Sequence, residues 1–277
     1  MTLTLPALAR PRPVARFFRT PKGLLLVLFA ALLALACWTL DASLVLPGVI
    51  VGAGTAAAID LVIMRWRFGT LVLPDGALLT GLIVAMILRP QEPLTIVALT
   101  SAVAIGSKHL VRTHWSNVFN PAAVALVISS VFFETGQSWW GALPDLGIAG
   151  VGVLIAAGGF ITDRINKMPM VLAFFATYFI LFTVAGFFGD SSLFAEIYRT
   201  PDLQAALFFA FFMLDDPPTS PVRYEDQSVY GIIVATASYL VFTALGAVYF
   251  LPAGLLVGNA WESGRRLFAA RRRAVAS

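Results

Sequence analysis

Charge, histidine and cysteine are all scarce in this 277-residue sequence: Asp, Glu, Lys and Arg together supply 12% of it, Cys37 is the single cysteine, and His109 and His114 are the only histidines. One cysteine excludes a disulfide framework and, with so few histidines, a cysteine-ligated iron–sulfur cluster or a Cys/His zinc site. The two histidines are five residues apart, on different faces of a helix and at one membrane edge, which argues against haem ligation. A nucleotide-binding loop is missing as well. The run Gly147-Ile148-Ala149-Gly150-Val151-Gly152 has the glycine spacing reversed and no strand before it, and close helix packing explains it better. Polar surface is too sparse to cover a water-soluble globule, since 59% of the residues are hydrophobic and the mean hydropathy is +0.85. The chain therefore reads as an all-α integral membrane protein with no room for a separate soluble domain.

Apolar runs of about 20 residues are needed to cross a bilayer. Splitting the chain at Pro, Gly and charge clusters gives ten: roughly 24 to 40, 44 to 64, 73 to 88, 94 to 110, 119 to 133, 146 to 161, 168 to 188, 203 to 214, 229 to 249 and 251 to 264. The first follows five bases but lacks a small-residue cleavage site, so it is expected to be retained. The formal charge of +4 does not signal nucleic acid, because the bases flank apolar runs. All but Arg89 and Arg199 fall in the two tails or the even-numbered loops. By the positive-inside rule this expects both termini in the cytoplasm and a multi-pass protein of the bacterial-type cytoplasmic (inner) membrane. The expected organisation is a basic tail over 1–22, one membrane domain over 23–265 and a second basic tail over 266–277.

Two pairs of segments match across the halves. Pro74-Asp75, opening the third span, corresponds to Pro201-Asp202 opening the eighth, and Phe119-Asn120-Pro121-Ala122 to Phe250-Leu251-Pro252-Ala253, at offsets of 127 and 131. Chance is the competing explanation, since such pairs are common at helix starts. Matches at the same ordinal positions favour a five-plus-five duplication, with repeat one about 23–133 and repeat two about 146–264. Because five is odd, the second copy is inverted. The third and eighth spans are also the shortest, and short segments at corresponding positions point to a binding site between them.

Two polar clusters carry candidate chemistry. Asp215-Asp216-Pro217-Pro218-Thr219-Ser220-Pro221 follows the apolar run 208–214, and its acids and hydroxyls can accept hydrogen bonds from a ligand, although a rigid turn would use the same prolines. In Ser116-Asn117-Val118-Phe119-Asn120-Pro121, Asn120 stands as a helix N-cap with Pro121 at the first helical position, which leaves Asn117 and Trp115 unexplained. Asp60 and Asp75 are membrane carboxylates, with Arg65 and Arg67 near enough to neutralise Asp60. The phenylalanines are expected mostly at lipid or the interface, with Phe208, Phe209, Phe211 and Phe212 also able to stack on a flat cofactor.

The segments 75–82, 117–123 and 211–221 together resemble, in order and spacing, the RnfD/NqrB family, which joins the RnfD component of the Rnf electron-transport complex and the NqrB component of the sodium-pumping NADH:quinone reductase. The third is the most specific. Asp216, Pro217, Thr219 and Ser220 stand where that family has Asp-Pro-x-Thr-Ser, while Asp215 occupies a variable position. The resemblance implies a ten-helix inverted repeat similar to urea transporters. It further implies a flavin-dependent electron-transport system, coupled to sodium or proton movement and partnered by other redox subunits, with quinone as another candidate ligand. The family carries one non-covalent riboflavin-type flavin and one FMN esterified to a threonine after the fifth span. Here the corresponding loop, 134–145, has no such motif and Thr135 as its only threonine. The expected cofactor is thus non-covalent riboflavin or FMN, without covalent FMN. The expected cofactor-binding residues are Asn117, Asn120, Asp216, Thr219 and Ser220, with Asp75 and Thr80 behind them; no catalytic residue and no metal ligand is expected. The alternative is a cofactor-free channel or transporter for a small polar solute on the same fold, which loss of the FMN motif favours and the Asp-Pro-x-Thr-Ser segment opposes.

Overall fold

The computed structural model describes residues 17–18, 20–69, 72–113, 116–189, 191 and 195–276; Arg10, Arg12, Arg16, Arg19, His114 and Trp115 lie outside them. Ten α-helices fall among the described residues, one for each expected span: α1 Pro21–Thr39, α2 Ala42–Phe68, α3 Asp75–Ile87, α4 Leu94–Leu110, α5 Pro121–Phe132, α6 Gly147–Arg164, α7 Met168–Phe188, α8 Thr200–Phe209, α9 Tyr224–Leu245 and α10 Phe250–Ala276. Among the described residues, five segments are long and apolar enough to cross a membrane unaided: Pro21–Thr39, Ala42–Arg67, Trp140–Arg164, Met168–Phe188 and Tyr224–Leu245. The protein is an all-α membrane protein. The segment 266–277, read as a tail, continues α10 as far as Ala276.

Local chemistry sets the helix ends. Thr20 caps α1 through the Gly23 amide and Asp41 caps α2 through the Ser43 amide, while Gly69 closes α2 in the left-handed conformation that glycine adopts without steric cost. Helices α2 and α3 cross closely: a Cβ on Gly81 would stand 2.5 Å from the Gly52 carbonyl oxygen, so only glycine fits there. In the first half α2 packs on α3 and α4, and α4 on α5; in the second α7 packs on α9, and α9 on α10. Helices α5 and α10 meet across the halves, and α6 packs on α8 within the second.

The two short helices end for identifiable reasons. Helix α3 stops after 13 residues, about 20 Å at 1.5 Å per residue, and its last carbonyls are met by the irregular segment 134–146. The amides of Ser138 and Trp139 both donate to the Ile87 carbonyl (2.9 and 3.1 Å), and the Trp140 indole donates to the Ala85 carbonyl (2.8 Å). Helix α8 runs directly into a π-turn, Ala210–Leu214. Such turns widen the helix and often mark functional positions. Non-helical backbone at this depth is tolerated because protein, not lipid, surrounds it: Trp139, Trp140, Ala142 and Leu143 are all buried.

Candidate functional site

A cavity of about 520 Å³ lies at the end of the bundle that carries most of the bases, bounded by α1, α3, the head of α5, the end of α6 and the π-turn. Five of the seven expected site residues line it, brought from three separate stretches of chain: Asp75 and Thr80 on α3, Asn117 and Asn120 before α5, and Asp216 after the π-turn. Leu79, Ile83, Ile161, Ile165, Phe211 and Phe212 make the rest of the wall largely apolar. Few polar groups against an apolar lining is the usual make-up of a small-molecule site, and the volume lies within the usual range of roughly 300–1,000 Å³.

Asn120, Thr80 and Asp75 are each held from behind. The Asn120 side chain accepts from the Ala123 amide (3.1 Å), the expected N-cap, and its Nδ2 donates to the Met213 carbonyl (3.3 Å), tying α5 to the π-turn. Its own amide donates to Asn259 Oδ1 on α10 (2.7 Å), and Asn259 Nδ2 donates to the Tyr230 hydroxyl on α9 (2.6 Å). Thr80 donates to the Gly76 carbonyl (2.8 Å). Asp75 pairs with Lys22 on α1 (3.1 Å) and accepts from the Gly76 amide (2.6 Å).

Thr219 and Ser220 stand behind the wall, not on it. Both are buried, and both hold Asp216: the Thr219 hydroxyl donates to its carboxylate (3.0 Å) and the Ser220 hydroxyl to its carbonyl (2.8 Å). Arg266 of α10 fastens this connection to its neighbour, donating to the carbonyls of Pro218 (3.0 Å) and Ser220 (2.8 Å) and to the Ser116 hydroxyl (3.0 Å), while the buried Glu262 holds the guanidinium (2.6 Å). Lys167, on the α6–α7 connection, donates to the Pro221 carbonyl. Burial dominates the electrostatics here. It raises Asp216 to about 6 and Asp215 to about 8, against the opposing bonds from Thr219 and Thr162, and lowers Lys167 to about 8, against the pull of Asp215.

Two wall residues escape the sequence reading. Lys22 and Lys108 were read only as topology signals, yet both reach the cavity, and both ammonium groups lie within 4 Å of where a Cβ on Gly76 would stand. Asp215, a member of the polar cluster that the sequence singles out, also lines it. Asp60 is not neutralised by Arg65 or Arg67: Lys108 (3.0 Å) and His109 (2.8 Å) from α4 meet it, because they face α2 across the packed interface, while Arg65 turns to the Gly69 carbonyl. Phe208, Phe209, Phe211 and Phe212 are buried, not lipid-facing. Phe211 and Phe212 reach the cavity; Phe208 and Phe209 pack against Trp139.

At the opposite end, the segment 134–147 closes the bundle. Gln204 of α8, fully buried, donates to the carbonyls of Leu143 (3.0 Å) and Gly147 (2.8 Å), and Gly150 leaves the space its amide occupies. Thr135 is 3% exposed and donates to Ser129 (3.2 Å).

Compared with known proteins, residues 16–147, just under half of the chain, match the NQR2, RnfD, RnfE family. Over 105 residues the chain is 30% identical to the D component of the proton-translocating ferredoxin:NAD(+) oxidoreductase complex of Clostridium ljungdahlii. That match covers 37% of this chain and 32% of the relative, so only about a third of the relative's length is represented. Two of the three recognised segments, 75–82 and 117–123, lie within the family match, and 211–221 lies beyond it.

Proposed function

We propose, from the match of residues 16–147 to the NQR2, RnfD, RnfE family, that the chain is a membrane subunit of an ion-translocating electron-transport complex and holds a non-covalent flavin in the cavity beside α3 and the π-turn. The observation that carries this reading is the convergence of Asp75, Thr80, Asn117, Asn120 and Asp216 on one apolar-walled cavity. The residues suit a flavin. Phe211, Phe212, Leu79 and Ile83 offer faces to a flat ring system, and the polar groups offer donors and acceptors for its heteroatom edge and ribityl hydroxyls. Bound there, a flavin supplies one- and two-electron chemistry, and the chain supplies orientation and electrostatics. Asn120 positions the head of α5 while keeping one amide hydrogen for a ligand, and Lys22 and Lys108 offset negative charge at the cavity. Other redox subunits and a moved sodium ion or proton complete the proposed complex.

The same reading takes the two halves as inverted copies and both tails as cytoplasmic. Supporting the first, α2–α4 and α4–α5 contacts recur as α7–α9 and α9–α10 at the same ordinal positions.

The test is the absorbance spectrum of protein purified in mild detergent, before and after acid precipitation. Flavin released to the supernatant supports the reading, and Asn120→Ala and Asp216→Asn then lower its occupancy several-fold. Yellow colour left in the pellet overturns non-covalent binding. Absence of flavin, both from the purified protein and after reconstitution with riboflavin and FMN, overturns the cofactor and leaves solute passage through the same cavity as the reading to pursue.

A further inference from the structure

Asp215 is 4% exposed, yet it lines the cavity. Its Oδ2 accepts a hydrogen bond from Thr162 on α6 (2.9 Å), and no basic side chain pairs with it within ion-pair distance among the described residues. An ionised carboxylate buried without a counter-ion is costly, whereas a protonated one is not. The charged groups around it are Asp216 next in the chain, Lys167 on the α6–α7 connection, Lys22 and Lys108 across the cavity, and Glu262 with Arg266 on α10 behind Asp216. Neither the recognised motif, in which its position is variable, nor the packing of the connection accounts for a carboxyl here. Thr219, Ser220 and Arg266 secure that turn without it.

We propose that Asp215 is the proton-exchanging group of this cavity: its carboxyl is protonated at rest and passes its proton to a ligand group that has become more negative, regaining it when that charge leaves. In the transfer the carboxyl O–H bond breaks, the ligand group gains the proton, and the carboxylate left behind is held by the Thr162 hydroxyl. The identity of the ligand as a flavin rests on the reading above; the protonated resting state of Asp215 does not.

Infrared difference spectroscopy on the full chain, stepped from pH 6 to pH 9.5, tests this without any cofactor. The expected result is a carbonyl stretch of a protonated carboxyl that fades with a midpoint near pH 8, is absent in Asp215→Asn and persists in Asp216→Asn. Thr162→Val keeps the carboxyl and removes its donor, so the midpoint moves to higher pH. Should Asp215→Asn fail to fold, that upward movement alone assigns the band, because the hydroxyl has Asp215 as its carboxyl partner. A wild-type spectrum with no such band at pH 6, or a band unchanged by both Asp215→Asn and Thr162→Val, overturns the proposal. The flavin content of the same sample is read separately: a band without flavin sustains the proton site and removes the flavin, and flavin without a band does the reverse.

Discussion

Asp216 illustrates how a single side chain is set by its surroundings. Burial raises its pKa to about 6 and that of Asp215 to about 8, so between about pH 4 and pH 8 the folded protein binds more protons than the unfolded chain, whose carboxylates titrate near 3.9. Stability therefore falls as pH rises through that interval. Lys167, lowered to about 8, acts in the opposite sense only above pH 8. The expected melting temperature in detergent declines from pH 5 to pH 8, and Asp216→Asn shows a shallower decline; an unchanged slope would sink this account. Asn120 was legible in the sequence because capping is local, a matter of Asn followed by Pro. Lys22 and Lys108 were not, since what they face is decided by helices far away in the chain. Thr219 and Ser220 were recognised by motif, and their work turned out to be holding Asp216.

At the scale of elements, the ten apolar runs and the brevity of α3 and α8 were readable from length and punctuation alone. What length could not show is why short helices suffice. The Trp139-Trp140 pair sits in a stretch that looks like an ordinary connection, yet it enters the bundle and finishes the α3 hydrogen bonding that helix propagation leaves undone. Equally invisible was the α2–α3 crossing. Gly81→Ala places a methyl group against the α2 backbone, which costs about 1–3 kcal/mol as overpacking. Gly54→Ala, on the same α2 helix but with nothing within 4 Å of the new carbon, leaves stability unchanged within error. A thermal-shift comparison of the two variants checks the crossing, and equal effects would refute it.

For the whole molecule, the distribution of bases yields a topology that labelling can test. In a Cys37→Ala background, cysteines placed singly at positions 2 and 277 are expected to react with a membrane-impermeant thiol reagent only from the cytoplasmic side, and one at position 145 only from outside. Reaction of the two tails from opposite sides would mean an odd number of crossings and would end the inverted five-plus-five arrangement. The match between bases and helices made the span count legible, whereas the cavity, expected between the third and eighth spans, gains its polar lining only when three distant motifs fold together.

Helix α10 leaves the bundle and continues to Ala276, with Arg266 set just beyond the level of the cavity. That one guanidinium grips both the 215–221 connection and Ser116. Arg266 thus acts as a staple across segments about a hundred residues apart, and its loss would release the approach to α5 and the turn that carries Asp216 together.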